Sequence, residues 1–206
     1  MKHADRCHPS RWEEPQDGGR LKALLPYKGS TILHIQLAEM RKICGTVFIV
    51  TNNRDMIEPE ISSFQGLDIR IISDVYLQAG PLAGIHAACK AASGEQLWVV
   101  GCDMPHLSAD AAIAMKSRLA SADFEAVIPV IGGRIHPLHG IYSRKVGDTA
   151  EQLLIQEQYR VMELLQRCRW LAADDAFFAE HGIALQFASN LNTPEEYHAS
   201  MMRNET

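Results

Sequence analysis

The chain has 206 residues, 47% of them apolar and 22% charged, with a net charge of −5. This size suits one domain with a well-buried core, and the acidic balance, with no Lys/Arg run, argues against a nucleic-acid or membrane-surface partner, because neither polyanion is drawn to a surface without a basic patch. Five cysteines, odd in number and without C-x-x-C spacing, argue against a disulfide framework or a zinc site; no apolar run approaches the roughly 20 residues of a membrane span and MKHADRCHPS lacks the apolar core of a signal peptide, so a cytoplasmic location is expected.

In chain order, residues 8–29, HPSRWEEPQDGGRLKALLPYKG, join a polar stretch holding Pro9, Trp12 and Pro15 to KALLPY, which reads as the start of an amphipathic helix opened by Lys22. From Lys22 onward, short β-branched runs alternate with helical patterns, the signature of βαβ units around a mostly parallel sheet. TVFIVTN is the first clear strand and ends in the polar turn TNNRD; DIRIISD is the second and ends at Asp74. A GPLAG turn then leads into the small-residue helix IHAACKAAS. QLWVVGCDMP is the most continuous apolar run, so it is expected to lie centrally, buried on both faces, and it ends at Asp103. Ser108 caps the next helix, SADAAIAMKSRLA, with Ala112, Met115 and Leu119 at helical spacing. EAVIPV and HPLHGIYS supply two more strands. In YRVMELLQRC, Val161, Leu164, Leu165 and Cys168 form a stripe at i, i+3, i+4 and i+7 that reads as plain core packing. Thr193, Pro194 and Glu196 have the spacing of a capping box with proline at the first helical position. The whole reads as a single α/β domain over residues 1–206.

Chemistry is expected where these strands end, because ligands of open α/β sheets sit beyond the carboxyl ends. Three strands end in Asn53, Asp74 and Asp103. Asp103 stands at the tip of a buried strand with Pro105 enforcing the turn. Such a carboxylate suits Mg²⁺, which takes one or two carboxylates and completes its shell with water and phosphate oxygens; a turn aspartate bonded to backbone amides is the plainer alternative. Gly80 and Gly84 in GPLAG let backbone approach a ligand, and they equally serve a tight strand-to-helix turn. Lys22 is a cation able to neutralise phosphate, or a solvated helix-start lysine. His136 and His139, at strand-like spacing, point to opposite faces, giving one core and one cleft histidine rather than a shared metal.

Taken together, KALLPY, TNNR, ISD followed by GPLAGI, GCDMPHL, GGRIHPLHGIY and SNLNTPEEY resemble, in this order and spacing, the molybdenum cofactor guanylyltransferases, over about Gly19 to Tyr197. The resemblance implies a Rossmann-like, three-layer nucleotidyltransferase fold with a mostly parallel central sheet. It implies transfer of GMP from GTP to the terminal phosphate of molybdenum-bound molybdopterin, with release of pyrophosphate. It further implies that Lys22 binds phosphate, that Asn53 and Asp74 contact the nucleotide, and that Asp103 binds both GTP and Mg²⁺. His136 of the HPL segment, Asn190 and Asn192 would lie on the pterin side. Lys22 and Asp103 would thus carry catalysis, and molybdoenzymes or their chaperones would receive the product. GPLAG is closer to the guanylyl than to the cytidylyl branch. The alternatives are a cytidylyl- or sugar-nucleotidyltransferase of the same fold, or a catalytically impaired relative that binds molybdopterin.

One departure from the family is large. Its members open with a strand running into a loop of the form L-A-G-G-x-S-x-R-M-G-x-x-K, whose backbone amides cradle the triphosphate. Here residues 1–20 read instead as an aberrant, disordered segment. Yet when Cys7 to Gly19 are back-translated with a suitable choice among synonymous codons, which leaves the middle base of each new codon free, and one base is dropped, with one base borrowed from Arg20, the new frame reads VILAGGRSRRMGG. The outer bases of each new codon are largely fixed by the residues as written: Trp12 followed by Glu13 can yield only glycine. Two compensating indels flanking about Cys7 to Arg20 are therefore expected in the gene. A chain truly as written would lack both its first strand and its phosphate cradle, and would bind GTP poorly.

Overall fold

A computed structural model describes residues 21–76, 79–120, 123–191 and 193–202. The reading of residues 1–20 and the role expected of Asn192 fall outside these residues.

The chain enters through a single 3₁₀ turn, Lys22–Leu24, and not the helix that KALLPY suggested. Pro26 decides this: it has no amide to donate and biases Leu25 to extended backbone, so the next element is β1 (Pro26–Tyr27), hairpinned to β2 (Ser30–Thr31) through Lys28 and Gly29, both at positive φ. Helix α1 (Ile32–Met40) follows, its N-terminus capped by Thr31, whose hydroxyl accepts from the His34 amide at 3.2 Å.

A βαβ unit comes next: β3 (Thr46–Val50), α2 (Arg54–Ile61) and β4 (Asp68–Ile72), with β3 and β4 parallel and in register from Thr46 opposite Asp68 to Val50 opposite Ile72. Helix α3 (Gly80–Ala91) leads to β5 (Gln96–Trp98), and α4 (Ala109–Ala120) begins as expected with Ser108, whose hydroxyl accepts from the Ala111 amide at 3.1 Å. Then come β6 (Ala126–Ile131), β7 (Arg134–Ile135), a 3₁₀ turn at Pro137–His139 and β8 (Ile141–Ser143). The strand expected over HPLHGIYS therefore starts only at Ile141, because Pro137 opens the turn. His139 is nonetheless the core histidine, fully buried.

The chain closes with α5 (Val146–Ile155), α6 (Val161–Arg167), β9 (Trp170–Asp174), α7 (Asp175–Glu180) and α8 (Pro194–Met202). Val161, Leu164, Leu165 and Cys168 are all buried in one cluster with α3 and α5, as their stripe predicted. The capping box forms in full: the Glu196 amide donates to Thr193 Oγ1 and the Thr193 amide to Glu196 Oε2, each at 3.2 Å.

The architecture is the expected α/β type, helices covering both faces of the strands, but the strands are not mostly parallel. β3 and β4 form one parallel pair; β5, β8, β6 and β7 follow in order with antiparallel neighbours, and β9 joins β6 in parallel. The antiparallel members arise where the chain turns back by short connections, at Gly132–Gly133 between β6 and β7 and through the 3₁₀ turn before β8. The run QLWVV is also less covered than its composition implied: Gln96 to Val100 are all half-buried.

Side-chain alternation assigns the layers. Leu97 and Val99 pack into the cluster of α3, α5 and α6, while Trp98 and Val100 pack with Leu33, Leu37 and Met40 of α1. Helices α3 and α1 thus lie on opposite faces of β5.

Candidate active site

The turn after β5 is the most heavily braced part of the cleft. The Gly101 amide donates to Leu138 O at 3.0 Å, and the Leu191 amide donates to Asp103 O at 2.8 Å. From α1, the buried Gln36 sends one side-chain nitrogen to two carbonyls, Gly101 O at 2.7 Å and Met104 O at 3.0 Å. At Gly101 a Cβ would stand 2.8 Å from Asp103 Oδ1, so a larger residue would push the carboxylate aside. Asp103 itself is half-buried. Burial raises its carboxyl pKa above the ordinary value, the Lys22 ammonium pulls it back, and Glu196 adds a smaller push upward.

Lys22, Asp74 and Asp103 line one cavity of about 810 Å³. Asp74 follows β4, and its Oδ1 is buried without a hydrogen-bond partner, a costly state for an acceptor unless a ligand or ion supplies the missing partner. Gly80, at φ +65°, and Pro81 bring the start of α3 to the same cavity. No group of three or more His, Cys, Asp and Glu is gathered around one point among the described residues. A cation held here would take few protein ligands and draw the rest of its shell from water and substrate, which is the habit of Mg²⁺ rather than of zinc or calcium. A single strand-end carboxylate such as Asp103 fits that ion.

The structure separates the other residues singled out from sequence. Asn53 is exposed at the start of α2, its amide bonded to Thr51 Oγ1 at 3.1 Å, and it is not among the residues lining this cavity. His136 is half-buried beside β7, its amide paired with Pro129 O at 2.9 Å, and it too is outside the lining. Asn190 stands beside the Leu191–Asp103 bond with its Oδ1 buried and unpartnered. Gln36 escaped sequence reasoning. Its one signal is a polar residue inside the apolar run ILHIQLAEM, indistinguishable by pattern from a solvent-facing position.

Residues 10–173 match the model of the MobA-like NTP transferase domain. A curated relative from Geobacillus sp., named a probable molybdenum cofactor guanylyltransferase, is 31% identical over 87% of this chain and 89% of its own length. Another of the same name from Natranaerobius thermophilus is 27% identical over 86% of this chain and 85% of its own. Among solved structures, molybdopterin-guanine dinucleotide biosynthesis protein A from Archaeoglobus fulgidus superposes with a TM-score of 0.74 at 20% identity, covering 90% of both chains. The chain is thus a nucleotidyltransferase, and it belongs to the MobA-like NTP transferase domain family.

Proposed function

We propose that this enzyme transfers GMP from GTP to the terminal phosphate of molybdenum-bound molybdopterin, giving the guanine dinucleotide cofactor and pyrophosphate. The observation that carries the reading is the meeting of Lys22, Asp74 and Asp103 on one cavity at the carboxyl ends of β4 and β5, in a chain whose relatives are named for this reaction.

The chemical difficulty is charge. A phosphate nucleophile must approach an α-phosphate that is itself anionic, so the site has to offset repulsion before a bond can form. Lys22 supplies a cation at the cavity wall that would stabilise the pyrophosphate as it departs. Asp103 is the residue that would hold Mg²⁺, which when bound neutralises triphosphate charge, and Asp74 would contact the nucleotide. Gln36, Leu138 and Leu191 brace the backbone of the turn that carries Asp103, which lowers the cost of holding it in place for substrate. No general base is assigned, because a phosphate monoester is already ionised near neutral pH. His136, Asn190 and Asn192 are proposed for the pterin side and Asn53 for the nucleotide.

The test is product analysis on the chain with Cys7–Gly19 replaced by VILAGGRSRRMGG, because the chain as written is expected to bind GTP poorly, with each of the four NTPs, Mg²⁺ and molybdenum-loaded molybdopterin. Pyrophosphate release with a guanine dinucleotide as product is expected. Formation of the cytosine dinucleotide, or pterin binding without pyrophosphate release, would overturn the assignment.

A further inference from the structure

The cavity that holds Lys22, Asp74 and Asp103 extends far beyond them. It is lined by every residue of β3, Thr46 to Val50, and by every residue from Gln96 to Asp103, and it reaches Gly45 and Gly94 at the amino ends of the strands. A pocket lined by consecutive strand residues is walled by strand edges, since a sheet face presents only alternate residues.

Hydrogen-bond parity identifies those edges. In β3, Gly45 O accepts from Asp68 and the Thr51 amide donates to Ile72 O, so the odd-numbered backbone groups turn to β4. Thr46, Phe48 and Val50 therefore turn away from it. In β5, Glu95 O accepts from Arg144, the Val99 amide donates to Gly140 O and the Gly101 amide to Leu138 O, so again the odd positions are used. Gln96, Trp98 and Val100 turn the other way. Among the described residues, β3 pairs only with β4 and β5 only with β8. Two rows of backbone donors and acceptors thus face one cavity, each needing a partner.

The walls above and below are helices. Leu33 and Leu37 of α1 close one face and Ile85 and Ala88 of α3 close the other. Asp74 and Asp103, at the carboxyl ends of β4 and β5, meet at one end of the cavity, so β3, β4 and β5 run the same way. Lys22 stands at that same end.

We infer that the slot between β3 and β5 is the seat of a central strand, parallel to both, supplied by the segment immediately before Leu21. A parallel strand delivered there ends beside Lys22, and the twenty preceding residues suffice for a strand of about five residues, at ~3.3 Å each, and a loop back to Leu21. The occupant must be apolar on both faces, because helices cover both, and must offer an amide at each position. Residues 1–20 as written contain no such run: Pro9 and Pro15 lack amides, and charged residues break every stretch between them. With the synonymous codons that give VILAGGRSRRMGG, the shifted reading from Cys7 onward begins Val-Ile-Leu-Ala-Gly, which meets each requirement. The slot therefore selects the shifted reading over the written one.

Hydrogen exchange without nucleotide tests this, so its outcome is independent of whether GTP is the substrate. Two proteins are compared: the chain as written, and the chain with Cys7–Gly19 replaced by VILAGGRSRRMGG. The amides of Phe48, Val50, Trp98 and Val100 are expected to exchange on the order of 100-fold more slowly in the replaced chain. The peptide VILAGGRSRRMGG added in trans to the written chain should protect the same amides, which covers the case of a replaced chain that does not fold. Equal protection in the written chain, at any concentration, would overturn the inference, because its own residues or a second copy would then occupy the slot. Failure of both the replacement and the peptide to protect them would overturn it as well.

Discussion

Asp103 sits where function and stability oppose each other. Burial raises its carboxyl pKa, so the folded state resists the charge that cation binding requires, and at neutral pH the ionised group destabilises the fold. Asp103→Asn keeps the shape and removes the charge. In metal-free buffer it is expected to raise Tm, because a charge that burial disfavours is removed, while lowering turnover by on the order of 10³-fold. Thermal scans beside pyrophosphate-release assays check both; a lower Tm would contradict the electrostatic account. His139 carries a second cost. It is fully buried between Trp98 and Phe187, at ring distances of 5.4 and 4.7 Å, with both ring nitrogens unpartnered. Burial pushes its pKa down from 6.5 to about 4. The unfolded chain therefore binds the proton first as pH falls, and stability is full above pH 6.5 and lost progressively down to about pH 4, by about 3 kcal/mol in all. His139→Leu should remove that part of the acid sensitivity, visible as a flatter plot of denaturation midpoint against pH between 6.5 and 4.

Helices α3 and α5 meet without a spacer. Gly147 lies against Cys89 so closely that a Cβ would stand 2.7 Å from Cys89 Cβ, and neither backbone can yield without moving its helix. Gly147→Ala is expected to cost about 1–3 kcal/mol, read as a lower denaturant midpoint at unchanged slope. Contacts of this kind mark what the sequence does and does not announce. The stripe from Val161 to Cys168, the Ser108 cap and the box at Thr193 were legible because periodicity and capping are local properties. The turn that carries Asp103 was legible because an apolar run stops at a proline, although β5 itself ends at Trp98. KALLPY misled because its apolar spacing suits a helix while Pro26 forbids one. Gln36 was invisible because its partners, Gly101 and Met104, lie 65 and 68 residues away along the chain. The half-burial of Gln96 to Val100 could not be read from their composition either, since it depends on which strand pairs with the far edge.

At the scale of the whole molecule, nucleotide affinity depends on parts that are distant in sequence. Lys22, Asp74 and Asp103 approach the ligand from one end of the strands, and between them they offer one cation and two carboxylates. That set alone cannot hold a triphosphate tightly, because two of its three charges repel the ligand until a cation intervenes. Backbone amides from a glycine-rich loop are the usual remedy, as each donates to a phosphate oxygen without adding a side chain to be ordered. In the chain as written, Glu13 and Glu14 occupy the corresponding stretch of sequence and Pro9 and Pro15 remove donors from it. Titration calorimetry with GTP and Mg²⁺ is therefore expected to show no micromolar binding by the written chain, a threshold equal to about −8 kcal/mol, although Lys22, Asp74 and Asp103 are intact. The chain carrying VILAGGRSRRMGG should recover micromolar binding. Micromolar affinity in the written chain would mean that the strand-end residues suffice, and the importance given to the loop would have to be abandoned.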